Sequence, residues 1–445
     1  MDFTPWTAFT DLGLVALLLL GGQLIRARVV LVQRLFLPAN VLAGLAGLAL
    51  GPNGADLLPF SAAISKYPGI LIAFIFASLP FSSQTFTFKS SRGPIGELCA
   101  YSSLTIVLQW GLGLLFALAL LTPLWPTLHP GFGAMLASGF VGGHGTAAAI
   151  GSAFAARGWD EAGSLAMTSA TIGILGAIVG GMAWINWGSK RGFTHYLARF
   201  EELPQELRSG LVPPDKRPAL GRETISPIAL DPLVFHFALI AAAAAVGYFI
   251  GQWSAPFMGH YRLPTFCLAF LAAIVLKQAL KSTGALHYVD PRTNSRLSGS
   301  LTDLLVAFGV ASINIPILLK YAYPLAALFL FAFLLCGVLF RLVGPRVFRQ
   351  LWFEKSLYTW GWITGIMAMA IALLRIVDPD NKSRILDDFA LAYLVIGPVE
   401  VIMVTLTPLL VSQGHAWPLA LVTTGISLLL LLSLLARRLS PDHKQ

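Results

Sequence analysis

The chain is 445 residues long, 56% hydrophobic and only 11% charged, with a formal net charge of +9 and a mean hydropathy of +0.75. Soluble domains carry about 25% charged residues, so this balance excludes a soluble globular protein and describes an all-α polytopic membrane protein. The basic excess does not imply a nucleic-acid partner, because Lys and Arg fall in short loops between apolar segments, where they set topology.

In chain order, apolar stretches of bilayer length, about 20 residues each, predict crossings at 7–25, 36–51, 67–82, 96–121 and 162–187. Further crossings are predicted at 232–253, 263–281, 299–319, 322–342, 388–411 and 416–436. The start, Met1-Asp2-Phe3-Thr4-Pro5, lacks a basic region, so the first apolar segment reads as a retained helix and not as a cleaved signal peptide. Two more apolar segments, about 132–156 and 358–377, are interrupted by glycine and small polar residues. Each is expected to be a re-entrant hairpin that enters and leaves on one side. Between the halves, 188–230 carries Pro204, Pro213, Pro214, Pro218 and mixed charges and reads as a cytoplasmic linker. The expected divisions are an N-terminal repeat over 1–187, the linker, a C-terminal repeat over 231–412, and an extra helix with a basic tail over 413–445. Cys99, Cys267 and Cys336 lie scattered in apolar segments, which argues against a disulfide framework or a metal cluster.

Charge tests this topology. With the N-terminus outside, the inner loops hold Arg26, Arg28 and Arg34, then Lys89 and Arg92, then Lys190, Arg191, Arg199 and Arg208. Later inner loops hold Lys281, Arg292 and Arg296, then Arg341, Arg346 and Arg349, then Arg437 and Arg438. The opposite loops carry little beyond Lys66, Arg262 and Lys320. This positive-inside pattern is kept only if neither interrupted segment crosses.

The halves also resemble each other. Leu37-Pro38-Ala39-Asn40-Val41-Leu42-Ala43 recurs as Leu263-Pro264-Thr265-Phe266-Cys267-Leu268-Ala269, and Ala73–Ser78 recurs as Ala307–Ser312. An odd number of crossings before the linker makes the second copy inverted. Inverted repeats, each with a broken helix, are the layout of a secondary transporter with its site near the midplane.

The run Gly139-Phe140-Val141-Gly142-Gly143-His144-Gly145-Thr146 is the most informative feature. At bilayer depth such backbone survives only where protein buries it or a watery cavity adjoins it. Gly142-Gly143-His144-Gly145-Thr146-Ala147-Ala148-Ala149 and the helix Thr171–Gly181 resemble the glutamate:sodium symporter family, as does Leu263-Pro264-Thr265-Phe266. The likeness covers roughly 10–410. It implies two inverted-topology repeats of five transmembrane helices, each with a re-entrant hairpin. It also implies sodium-coupled uptake of acidic amino acids, a homodimer with a moving core, and a bacterial inner-membrane location. The second hairpin departs from the family, which places Thr, Pro and Asn after the glycine run. Here the run is Thr359–Leu373, with Met367, Ala368, Met369 and Leu373 in those places. Sodium prefers oxygen ligands, and the exchange removes such oxygens from this hairpin.

The expected solute contacts are Gly142, Gly143, His144, Gly145 and Thr146 with Thr364, Gly365 and Arg375. Glycine lets backbone amides approach a ligand, and amides at a half-helix start favour a carboxylate. The competing reading is close helix packing by small residues. His144 either donates to the solute or makes a structural bond, and Arg375 pairs an anion or is an inner-face topology charge. Ser138, Asn314 and Glu400 are the expected ion-coupling residues. Glu400, in Gly397-Pro398-Val399-Glu400, is an intramembrane acid and a functional candidate by default. It would carry a proton if sodium ligands are depleted; a structural bond to the hairpin is the rival. Asp303 reads as a helix cap, and Trp360, Trp362, Trp184 and Trp187 as interfacial anchors.

The leading expectation is therefore a symporter of a small anionic solute, glutamate or a related acidic amino acid, coupled to Na+. Alternatives are an H+-coupled carrier of another organic anion, or a transport-inactive sensor or scaffold. An intramembrane enzyme is not expected, because the sequence lacks His-Glu-x-x-His and paired aspartates within crossings.

Overall fold

The structure is a computed structural model, described for residues 4–35, 37–82, 94–195, 209–258, 265–378 and 382–439. Lys89, Arg92, Arg199, Pro204, Arg208, Arg262, Leu263 and Pro264 lie outside the described residues, so the charge pattern and the first repeat match are only partly placed. Among the described residues every regular element is helical, and nine helices are long and apolar enough to cross a membrane. This is an all-helical, multi-pass membrane protein.

The principal helices are α1 (Pro5–Arg28), α2 (Ala39–Leu50), α3 (Tyr67–Ser82), α4 (Pro94–Phe116), α5 (Ala134–Gly139), α6 (Gly143–Ala155) and α7 (Ala162–Lys190). After the linker come α8 (Pro232–Met258), α9 (Thr265–Ser282), α10 (Pro291–Ala311), α11 (Ala322–Val338), α12 (Trp352–Thr364), α13 (Met367–Val377), α14 (Ile385–Ser412) and α15 (Ala416–Leu439). Gly414, in a left-handed conformation at φ +84°, lets the chain turn between the last two helices.

Two predicted crossings take another form. Helix α2 has 12 residues, about 18 Å at 1.5 Å per residue, which is shorter than the roughly 30 Å hydrocarbon layer. The segment expected over 299–319 is α10, which starts eight residues earlier and ends at Ala311, followed by a short helix Ile315–Lys320. Asp290 caps α10 by accepting from the Thr293 amide, with Pro291 in the first turn. That cap-and-proline start outweighs the hydropathy that placed the helix further on.

The helices sort into two bundles. In the first, α2 packs on α1 and α10, α3 on α9 and α10, and α8 on α9. Its approaches are close: a Cβ on Gly44 would sit 2.5 Å from the Val310 Cβ, and one on Gly47 2.8 Å from the Ala311 Cβ. The buried Asp11 carboxylate of α1 fastens the following loop, accepting from the Ser61 amide at 2.9 Å and the Tyr67 hydroxyl at 2.8 Å. In the second bundle, α7 packs on α5, α6, α12 and α13, and α4 packs on α5, α14 and α15. Helix α6 also touches α3 and α10 of the first bundle. Outward faces are apolar, as with Trp6, Phe9, Leu17 and Leu20 on α1 and Phe249 and Trp253 on α8, as a lipid solvent requires.

Candidate functional site

Both interrupted segments are helix–break–helix units. The first passes from α5 through 140–142 into α6. Gly139 lies so close to α7 that a Cβ there would be 2.3 Å from the Ser169 Oγ and 2.4 Å from the Ala170 amide nitrogen. Phe140, fully buried against Phe329 and Phe333, anchors the break. Gly143 opens α6 at φ +61°, a left-handed conformation that costs other residues roughly 1–2 kcal/mol.

The second unit passes from α12 through Gly365 and Ile366 into α13. Near the end of α12, the Gln109 Nε2 of α4 donates to the Ile363 carbonyl at 2.8 Å, and the Thr364 hydroxyl donates to the Trp360 carbonyl at 2.6 Å. The glycine-rich stretch of α7 supplies the surface beneath. A Cβ on Gly173 would sit 2.3 Å from the Thr364 carbonyl oxygen, and one on Gly180 2.3 Å from the Trp360 ring. Small residues thus bring one helix against both breaks, as helix packing in membranes favours.

The breaks meet each other. A Cβ on Gly143 would lie 2.6 Å from the Ile366 side chain and 3.4 Å from the Gly365 carbonyl oxygen. One turn into α6, the Thr146 hydroxyl donates to Glu400 Oε1 of α14 at 2.8 Å, and the Tyr393 hydroxyl reaches Oε2 at 3.4 Å. His144 Nε2 stands 3.2 Å from the Thr171 hydroxyl of α7. The junction thus joins first-turn amides, which an α-helix leaves unpaired, with an intramembrane carboxylate and an imidazole.

Of the expected site residues, Gly142, Gly143, His144, Gly145, Thr146, Thr364, Gly365 and Glu400 gather at this junction. Ser138 is buried on α5, just ahead of Gly139, and donates to the Met135 carbonyl at 3.2 Å. Two others stand elsewhere. Asn314 caps the short helix after α10, accepting from the Ile317 amide at 3.1 Å, while its own amide donates to the Ser164 hydroxyl at 3.2 Å. Arg375 lies in the last turn of α13, ten residues past Gly365 and about 15 Å along the helix axis.

The neighbouring readings also change. Asp303 does not cap a helix; it sits within α10 and accepts from the Asn40 amide group of α2 at 2.7 Å. Trp360 and Trp362 are not interfacial anchors. Both are buried, Trp360 donating to the Ala177 carbonyl at 3.1 Å and Trp362 lying edge-on to Phe389. Trp184 stacks on Phe340 and Trp187 lies under Arg341, so both pack on protein. Of the second segment's substituted positions, Met369 and Leu373 are buried hydrocarbon and thioether. Gln109, Thr171 and Tyr393 were not singled out from sequence. Gln109 was findable as an uncharged polar side chain in a long apolar span, and Tyr393 as seven residues, two turns, before Glu400. Among the described residues no group of three or more His, Cys, Asp or Glu side chains could hold a metal ion.

A family model described as sodium/glutamate symporter matches residues 6–351. The matched part contains both halves of the first bundle, the whole first break and α7, and it ends one residue before α12. No curated protein and no solved structure matches the chain. With well over half of its length matched, and with the glycine–histidine–threonine break inside the match, the chain belongs to the sodium/glutamate symporter family.

Proposed function

We propose that the protein is a secondary active symporter that takes up a small anionic solute, glutamate or a related acidic amino acid, with Na+ as the coupling ion. The observation that carries this reading is the meeting of the two breaks at Gly143 and Gly365–Ile366, beside Glu400, in a chain of this family. Freed backbone amides at a half-helix start bind a carboxylate, and freed carbonyls suit a cation. Both interrupted segments act as re-entrant hairpins of two inverted repeats. The second bundle carries the solute and the first serves as its frame, in a homodimer of the bacterial inner membrane. The N-terminus lies outside, with the linker and C-terminus in the cytoplasm.

A second reading, proton coupling, is favoured by one contact. Glu400 is the acid at the junction, and its hydrogen bond to Thr146 ties α14 to the first hairpin. The second hairpin, which lies beyond the family match, offers methionine and leucine where oxygen ligands would stabilise sodium. A carboxylate that takes up a proton would weaken that tie from a charged to a neutral hydrogen bond.

The test is uptake of radiolabelled glutamate into proteoliposomes, with sodium and pH gradients imposed separately. Uptake that follows the sodium gradient supports the first reading. Uptake driven by the pH gradient alone and lost in Glu400→Gln supports the second. Absence of uptake under both gradients, with no thermal stabilisation by glutamate, points to a transport-inactive scaffold.

A further inference from the structure

His144 is 1% exposed and stands in the first turn of α6. Its Nε2 faces the Thr171 hydroxyl at 3.2 Å, and that hydroxyl donates to the Met167 carbonyl at 2.9 Å. A hydroxyl has one proton to give, so toward the imidazole Thr171 is an acceptor and Nε2 carries the hydrogen. In a neutral ring the other nitrogen is then a bare acceptor. That atom, Nδ1, is buried and has no hydrogen-bond partner among the described residues. An imidazolium would leave a buried N–H orphaned instead, together with a charge. The carboxylate of Glu400 accepts from Thr146 and Tyr393. A merely structural histidine is served by Nε2–H alone, whereas an orphaned buried acceptor requires its own explanation.

We infer that His144 reads an N–H donor on the solute through Nδ1, beside the first-turn amides of α6 that take the solute carboxylate. This rests on the transporter reading above and deepens it. The two features stand within one helical turn, which suits a carboxylate and an ammonium on the same carbon. A plain dicarboxylate of equal length satisfies the amides and leaves Nδ1 unpaired. A lost hydrogen bond of this charged kind corresponds to roughly 10- to 100-fold in affinity.

The experiment compares glutamate with glutarate, which lacks the amino group, by thermal-stabilisation titrations of the purified full-length protein. Wild type, His144→Asn and His144→Gln are measured. Asparagine can place an amide oxygen near the Nδ1 position. Glutamine can place an amide nitrogen near the Nε2 position, keeping the bond to Thr171 without the acceptor. Wild type and His144→Asn are expected to prefer glutamate by 10-fold or more, and His144→Gln to lose that preference through weaker binding of glutamate. A preference retained in His144→Gln, or absent in wild type, overturns the proposal and leaves the transporter reading standing. Wild type that binds neither compound overturns the solute reading and this inference together. Nitrogen-15 spectra of histidine-labelled protein give a second readout. Nδ1 of His144 is expected bare without solute and shifted by glutamate but not glutarate; a protonated Nδ1, or no shift with glutamate bound, overturns the proposal.

Discussion

Replacing Thr146 with valine tests the contact between the first break and α14. Valine keeps the shape of threonine, so the change removes one hydroxyl without opening a cavity. That hydroxyl donates to Glu400 Oε1 at 2.8 Å, and among the described residues the other carboxylate oxygen has the longer 3.4 Å contact from Tyr393. A hydrogen bond to a charged acceptor contributes about 1.5–3 kcal/mol, against about 0.5–1.5 kcal/mol for a neutral pair. Glu400→Gln retains an amide oxygen for the same hydroxyl but removes the charge. Thr146→Val should therefore cost about 2 kcal/mol in the wild-type background and about 1 kcal/mol in the Glu400→Gln background. The coupling between the two sites is then about 1 kcal/mol. The assay is reversible unfolding in mixed micelles of wild type, both single variants and the double variant. A cost below about 0.5 kcal/mol in both backgrounds, the scatter expected of independent sites, would refute the claim that this bond joins the hairpin to α14.

Other consequences follow from the same contacts. Gly143→Ala places a Cβ 2.6 Å from Ile366 at a positive φ, so it should abolish uptake while the protein still inserts; Ile366→Ala in the same chain should restore part of it, and no restoration would discount the clash. Trp360→Phe removes the donation to the Ala177 carbonyl and should lower stability by about 1 kcal/mol, read as a lower midpoint in the same unfolding assay. The pH dependence of stability should show the Asp290 cluster at the start of α10. Burial pushes its carboxyl up, but donation from the Thr293 hydroxyl and amide and the Arg222 amide pulls it below its ordinary 3.8. With the folded value depressed, this contribution is full above the unfolded value, near pH 4, and fades as pH falls through the folded one. Asp290→Asn should therefore be less stable at pH 7 and show a shallower loss between about pH 5 and 3; an acid limb identical to wild type would contradict the assignment.

The parts of the fold written in composition were legible in the sequence. Long apolar helices and the two glycine-broken segments reflect the cost of unpaired backbone in lipid; among the described residues nine of the expected spans and both breaks emerge where expected. The register of α10 was not legible from hydropathy, because the Asp290–Pro291 start extends the helix through Arg292, Asn294 and Arg296 before its apolar part. Of the site, the residues beside each break were readable from glycine, but their partners were not. Gln109 and Thr171 reach the breaks from two other helices, and Tyr393 stands beside Glu400 on α14; a linear pattern does not encode which helix faces which. The same gap explains Trp360 and Trp362: aromatic composition suits an interface, yet the glycines of α7 leave room that Trp360 fills from inside the protein. From sequence Asn314 reads as a polar ligand within a crossing because hydropathy does not mark the helix end at Ala311; once α10 stops there, an asparagine followed by Ile315-Pro316 is a helix cap.

In the proposed transport cycle the solute is held where the two breaks meet, and the alkylation rate of Ile366→Cys, located by mass spectrometry in a variant that still transports, reports on that place. Ile366 is partly buried and abuts Gly143. Glutamate with its coupling ion is expected to slow labelling at this position, and neither alone to do so fully. Unchanged labelling while glutamate is bound and transported would place the solute away from the two breaks.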